Sequence, residues 1–349
     1  MNGWVKKKFI LTYKIFLKMI NKILIFRTDR IGDLIITCPA VITIRKYFKE
    51  CEITIITSSK NHQYAKSLIL FDNVIQFPKK NIFNKIKFIY TLRKKNFDYI
   101  YVFDGKERSI ITSLFLKSKI KVALSNSIKI HYNFLKMKFI KDYENKNLIE
   151  GFQKMLNYTK VNTIINNYKF IKEKKDNNFS KKIPIKNYIH IHLDEKWFNN
   201  LYIHSYTNIN PNFNNFINFL DKISEHEDIL ITTGLVKLNL VDELINKKFL
   251  EKIDTNIFFK KNNTKFIFLI NTPTFDDIES LLRNSKKLIS CHVAITHVSN
   301  SLYVQIIDII EKDKQIFYQR FTSHFNMYTY IFRENFNSIG NILLNKLNE

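Results

Sequence analysis

From Lys22 onward, short apolar runs alternate with longer segments of helical period, and this alternation constrains the fold more than any other feature of the chain. The pattern predicts strands over Lys22–Arg27, Glu52–Thr57, Asn73–Phe77, Phe97–Phe103 and Ile120–Leu124. Helices are predicted between them over Asp33–Phe48, His62–Leu70, Ile82–Lys94 and Arg108–Leu116. Short apolar strands separated by helices make a parallel sheet covered on both faces. Between about Tyr158 and Lys186 the pattern dissolves into Asn and Lys, the signature of a linker. It resumes with strands at Tyr188–Leu193, Asp228–Thr233, Phe266–Leu269, Lys287–Ser290 and Val304–Ile310. Helices at Phe213–Ile223, Val236–Phe249, Phe275–Asn284 and Ile295–Ser301 lie between them. The expectation is two doubly wound α/β domains facing a cleft, with ligands at the carboxyl ends of the strands.

The 349 residues suffice for two such domains, each with its own core. No apolar run reaches the roughly 20 residues needed to cross a bilayer. Cys38, Cys51 and Cys291 form no CxxC pair and are odd in number, which fits buried free thiols in a reducing compartment such as the cytoplasm and offers no zinc framework. The net charge of +25, from 56 Lys and Arg against 31 Asp and Glu, invites a nucleic-acid reading. No zinc-finger spacing and no aromatic-basic signature supports it, so no specific nucleic-acid partner is expected. Codon bias toward Lys, Asn, Ile, Phe and Tyr supplies part of the surplus, and general attraction to anionic surfaces is the other reading. The leader before Met19 is basic and apolar: either an amphipathic helix on an anionic membrane surface, or sequence upstream of a start at Met19.

Glycine is scarce, with six residues in the chain, so its positions are informative. Gly32 lies in the turn after the first strand and Gly234 directly follows Thr233. Neither GxGxxG nor GxxxxGK[ST] is present, which disfavours a dinucleotide dehydrogenase or a P-loop NTPase. Asp33 stands at a helix start beside Arg27, Asp29 and Arg30. Two readings stand: a carboxylate N-cap held by the helix dipole, or a general base removing a proton from an acceptor hydroxyl. Arg27 and Arg30 would then hold an anionic acceptor. His190 and His192 alternate on one strand face, and with His292 they raise a metal site that no spacing supports; polar strand ends account for them equally well. The aromatic run Phe317–Phe332 is expected to pack the C-terminal helix across the domain junction.

The segment Lys22–Ala40, KILIFRTDRIGDLIITCPA, resembles the opening of the family-nine glycosyltransferases, which include the ADP-heptose:lipopolysaccharide heptosyltransferases. The match is a strand, an R-x-D-x-x-G-D turn carried by Arg27, Asp29, Gly32 and Asp33, and a helix carrying Thr37, Pro39 and Ala40. Asp98–Gly105, Asp194–Trp197, Thr232–Gly234 and Phe275–Leu288 resemble further segments of that family in order and spacing. The resemblance spans nearly the whole chain after Met19 and implies a GT-B fold of two Rossmann-like domains.

Boundaries on that basis are a leader at 1–18, an acceptor domain at 19–160, a linker at 161–186, a donor domain at 187–327 and a C-terminal helix at 328–349. The resemblance implies Asp33 as the base of inverting transfer, with Arg27, Arg30 and Thr37 toward the acceptor. Lys196, Gly234, His292, Thr296 and His297 fall toward the donor diphosphate, with Lys196 a fixed cation for the leaving group. Lys196 also reads as a solvated loop lysine, and Trp197 as a packing residue.

In the last motif the family reads approximately D-T-G-x-x-H-x-A. Here His292, Val293 and Ala294 replace Asp, Thr and Gly while His297 matches. Ala cannot take positive φ as cheaply as Gly, so a different loop path is expected. A helix beginning near Ile295 still offers N-terminal amides to a phosphate. The implied reaction needs no metal or resident cofactor. It joins a nucleotide-sugar donor, ADP-linked by resemblance, to a lipid-linked glycan such as the lipopolysaccharide core, at the inner face of a bacterial inner membrane. The alternative is a catalytically degenerate GT-B scaffold that binds glycan, membrane or protein without turnover.

Overall fold

The computed structural model describes residues 20–79, 81–125, 137–141, 147–162 and 182–348. The leader at 1–18 and most of the linker at 161–186 lie outside the described residues. The chain divides into two compact units, Met1–Lys172 and Glu173–Glu349.

Unit 1 runs β1 (Lys22–Arg27), α1 (Ile31–Tyr47), β2 (Glu52–Thr57), α2 (His62–Ser67), β3 (Asn73–Gln76), α3 (Ile82–Arg93), β4 (Phe97–Val102), α4 (Glu107–Leu114), β5 (Ser118–Ser125), β6 (Lys138–Lys141) and α5 (Leu148–Tyr158). The six strands form one sheet in the order β3-β2-β1-β4-β5-β6, every pair parallel. Residues 23–26 of β1 and all of β4 are buried, as central strands of a two-sided sheet require. Because the order reverses between β1 and β4, their carboxyl ends flank the switch point where such sheets bind ligands. β6 and α5 were not predicted from sequence. Lys138–Lys141 is too short and polar to show a strand period, while α5 buries Phe152, Met155 and Leu156.

Unit 2 runs β7 (Tyr188–Leu193), α6 (Phe213–Ile223), β8 (Ile229–Thr233), α7 (Asn239–Asn246), β9 (Glu251–Asp254), β10 (Ile257–Asn262), β11 (Lys265–Ile270), α8 (Phe275–Leu282), β12 (Ser285–Ser290), α9 (Ala294–Ser301), β13 (Gln305–Ile310), α10 (Gln315–Thr322), β14 (Tyr328–Phe332) and α11 (Phe336–Asn348). Its sheet has the order β14-β13-β12-β7-β8-β11-β10-β9. Without the antiparallel β9–β10 extension, this repeats the order of unit 1, with the switch point between β7 and β12.

One expectation is corrected. Tyr328–Phe332 is a parallel edge strand beside β13, not the start of the C-terminal helix, because its aromatic and β-branched residues suit a strand. The helix begins at Phe336, whose ring lies 5.5 Å from Phe219 of α6. All three cysteines are buried free thiols.

Candidate functional site

In unit 1 the candidate residues gather at the carboxyl ends of β1 and β4. Arg27 closes β1 and is buried; its Nη1 donates to the Phe103 carbonyl at 2.7 Å and its Nε to the Asp33 carbonyl at 2.9 Å. Its guanidinium also lies 3.6 Å from Asp29 and 3.7 Å from the Asp33 carboxylate. Arg27 is therefore a bracket beneath the turn and presents no free face to a ligand. The helix N-cap is Arg30, and Asp33 is the third residue of α1, not the cap itself. The Asp33 Oδ2 accepts the Arg30 backbone N–H at 3.2 Å, the reach-back half of a capping box. Its side chain keeps 26% exposure, so the carboxylate is held from below and open from above. Thr37 is fully buried and donates to the Asp33 carbonyl at 3.0 Å, which removes its hydroxyl from the surface. Arg30 is exposed.

The other wall is the turn that ends the Asp98–Gly105 segment, on which sequence reasoning named no site residue. After β4, Asp104 accepts from the Thr28 N–H at 3.0 Å, the Thr28 hydroxyl at 2.7 Å and the Ser109 hydroxyl at 2.7 Å, which joins the two turns. Gly105 follows at φ 58, a conformation cheap only for glycine. Lys106 and Arg108 then reach back to the Thr28 carbonyl at 3.0 and 2.9 Å, with Lys106 3.5 Å from Asp29. Burial raises the Asp29 pKa above the usual carboxylate value; Arg27 opposes this, and Asp104 and Asp33 add to it. The two turns at the mouth of unit 1 thus carry the part-exposed carboxylate of Asp33 and the cations Arg30, Lys106 and Arg108, with Glu107 exposed between the last two. The signal for the missed pair was their position directly after the fourth strand.

In unit 2 the corresponding switch point joins the ends of β7 and β12. Asp194 caps a short 3-10 turn, Glu195–Trp197, by accepting the Lys196 N–H at 3.1 Å. Burial pushes the Asp194 carboxyl up to about 7, against the pull of Lys196. The Lys196 Nζ donates to the His292 carbonyl at 2.5 Å and lies 5.2 Å from the Tyr202 ring centroid. Its backbone carbonyl is gripped by Arg333 at 2.6 Å. Gly234 approaches the same turn so closely that a Cβ there would sit 3.1 Å from the Asp194 Cβ. Trp197 is fully buried, with its indole N–H on the His192 carbonyl at 2.9 Å, and so packs the core.

The loop after β12 spends its positive φ at His292 (φ 35), whereas Ala294 is already helical. The replacement of Gly at 294 therefore costs nothing here. Asp308, the single charged residue of apolar β13, accepts the His292 N–H at 2.6 Å and its Nδ1 at 2.7 Å, and also the Tyr328 hydroxyl at 3.0 Å. With its Nδ1 proton on the carboxylate, His292 has Nε2 as its remaining ring nitrogen. Asp308 was missed, although a lone Asp inside QIIDII was a signal. Thr296 is buried and its hydroxyl accepts the Val293 N–H at 3.0 Å, so it organises the first turn of α9 from inside. His297 is mostly buried, with its ring 5.4 Å from Phe325 and 5.6 Å from His292.

His190 and His192 share the Thr232 hydroxyl at 2.7 and 3.0 Å. Burial pushes both down to about 3, so they are neutral core imidazoles. No group of three His, Cys, Asp or Glu side chains able to hold a metal occurs among the described residues.

Neither a family model nor a curated protein matches the chain. Solved structures do. The glycosyl transferase family 9 structure from Veillonella parvula DSM 2008 aligns at TM-score 0.62 and 14% identity, covering 93% of this chain and 89% of that one. The E. coli ADP-heptose lps heptosyltransferase II aligns at TM-score 0.65 and 12% identity, covering 94% and 97%. The UDP-GlcNAc 2-epimerase from Methanocaldococcus jannaschii aligns at 0.53 and 13% identity, covering 93% and 92%. At such identities the likeness is one of fold. This chain has the GT-B fold of the family-nine glycosyltransferases and heptosyltransferases, built from two Rossmann-like units.

Proposed function

We propose that this protein is an inverting glycosyltransferase of the heptosyltransferase type. It would move a sugar from a nucleotide-sugar donor, ADP-linked, to a lipid-linked cell-envelope glycan such as the lipopolysaccharide core. One observation carries the reading: Asp33 is an open carboxylate at the end of β1, anchored by Arg27 and the Arg30 amide, in a fold shared with an ADP-heptose transferase. Fold alone does not select the chemistry, since an epimerase shares it. Asp33 takes the proton from an acceptor hydroxyl, whose oxygen forms a bond to the anomeric carbon. The bond from that carbon to the diphosphate breaks, and the nucleoside diphosphate leaves with the electron pair. Lys196 and the first-turn amides of α9 neutralise the charge gathering on that leaving group. Arg30, Lys106 and Arg108 suit an anionic acceptor. Arg27 and Thr37 act through Asp33, while Thr296, Gly234 and His297 shape the loop around Lys196 and His292. The reaction belongs at the cytoplasmic face of a membrane, where a lipid-linked acceptor is found.

A calorimetric screen of ADP-, UDP- and GDP-sugars, followed by turnover with extracted envelope glycolipid, tests the proposal. Binding of one donor and release of its nucleotide only with acceptor present is the expected result. Binding without turnover of any glycan would mark a non-catalytic scaffold and overturn it.

A further inference from the structure

Helix α3 carries an apolar face that the fold of unit 1 does not use. Its Phe88, Ile89 and Leu92 pack on the core beneath the sheet. Ile82, Phe83, Ile86 and Tyr90 are instead 61, 76, 57 and 60% exposed, and at ~100° per residue they fall within one arc of roughly 100° on the helix. Phe115, 55% exposed, extends the patch from the end of α4, where its carbonyl accepts Arg93 at 3.3 Å. An exposed apolar cluster of this kind marks a contact surface.

Charge identifies what it contacts. From Asn73 to Phe97 the sequence has seven basic residues and no acidic one. Lys87 on the helix and Lys94 at its C-cap border one side of the apolar arc, exposed Arg93 falls within the arc at its C-terminal end, and the Lys94 ammonium rests 4.3 Å from the Tyr90 ring centroid. An apolar stripe edged by lysines, with no counter-charge on the element, is complementary to a surface that is negative at its rim and apolar beneath. That is an anionic lipid bilayer. We propose that α3 lies in the plane of an anionic membrane, with Phe83, Ile86 and Tyr90 inserted among the acyl chains and the flanking lysines on the headgroups. The inference does not rest on the transfer reaction, because the docking needs neither donor nor acceptor.

The test is co-sedimentation of the full chain with phosphatidylcholine vesicles, with and without phosphatidylglycerol. The wild type is expected to partition onto the anionic vesicles and to be released by salt. The double variant Phe83→Asp/Ile86→Asp should lose about tenfold or more of that partitioning. Ile69→Asp, at an equally exposed apolar position elsewhere in unit 1, should retain it. Both positions of the double variant are exposed, so an unchanged melting curve is expected to accompany the loss. Partitioning unchanged in the double variant overturns the proposal. So does a concentration-dependent dimer that the double variant abolishes while vesicle binding persists, which would give the face to a second copy of the chain.

Discussion

The Lys196 ammonium lies 2.5 Å from the carbonyl oxygen of His292 and so ties the turn after β7 to the loop after β12, across the switch point of unit 2. One of its three N–H groups is spent on that carbonyl, which leaves two for a phosphate. Lys196→Met is expected to weaken ADP binding about tenfold or more, the loss of a charge-assisted hydrogen bond worth ~1.5–3 kcal/mol. Isothermal calorimetry reads this directly. A lowered melting temperature with unchanged ADP affinity would make Lys196 a loop tether only.

Gly234 is required for space rather than for backbone conformation. A Cβ there meets the Asp194 Cβ at 3.1 Å and the Glu195 Oε2 at 3.2 Å, and Asp194 is pinned by the Lys196 amide. Gly234→Val should destabilise the protein by about 1–3 kcal/mol, measured by denaturant unfolding. A variant as stable as wild type would show that the turn yields freely.

The Asp194 carboxyl, pushed up to about 7 by burial, gives a pH signature. In the unfolded chain the group titrates near ~3.9. Below that value both states hold the proton. As pH rises through 7 the folded state must ionise a buried group, and the stability of its neutral form is lost. Asp194→Asn keeps an acceptor for the Lys196 amide without the charge. It should therefore raise the melting temperature more at about pH 8 than at about pH 5. A gain equal at both pH values would contradict this.

Much of this architecture was legible because buried strands write themselves plainly: KILIFR, FDYIYV and YIHIHL each fall where the alternation puts them. Two of the missed strands carry little burial, whereas α5 was missed although it buries Phe152, Met155 and Leu156. β9 is mostly exposed, and β6 has only four residues, two of them exposed lysines. The edge strand β14 read as helix because its aromatic run shows no alternation. At the site, Asp33 and Lys196 were named because their local motifs resemble those of a known family. Asp308 and Lys106 were not, because Asp308 acts on His292 from 16 residues away and Lys106 acts on Thr28 from 78. Pairing across a switch point is fixed by topology and leaves no local period.

Arg27 tests the bracket beneath the turn. It is buried with two carbonyls and two carboxylates around it. Arg27→Leu would leave Asp33 without its cation and Asp29 with Lys106 alone, and a cost of about 3 kcal/mol is expected in denaturant unfolding. A stability change below about 0.5 kcal/mol would contradict the bracket.

In the proposed reaction everything turns on Asp33 as the base of glycosyl transfer. The most direct measurement is nucleotide release by purified Asp33→Asn beside wild type, with the donor found in the screen and a lipid-linked glycan acceptor. Turnover is expected to fall by about a thousandfold or more, with donor affinity unchanged and the fold intact. Near-normal turnover in Asp33→Asn would contradict it.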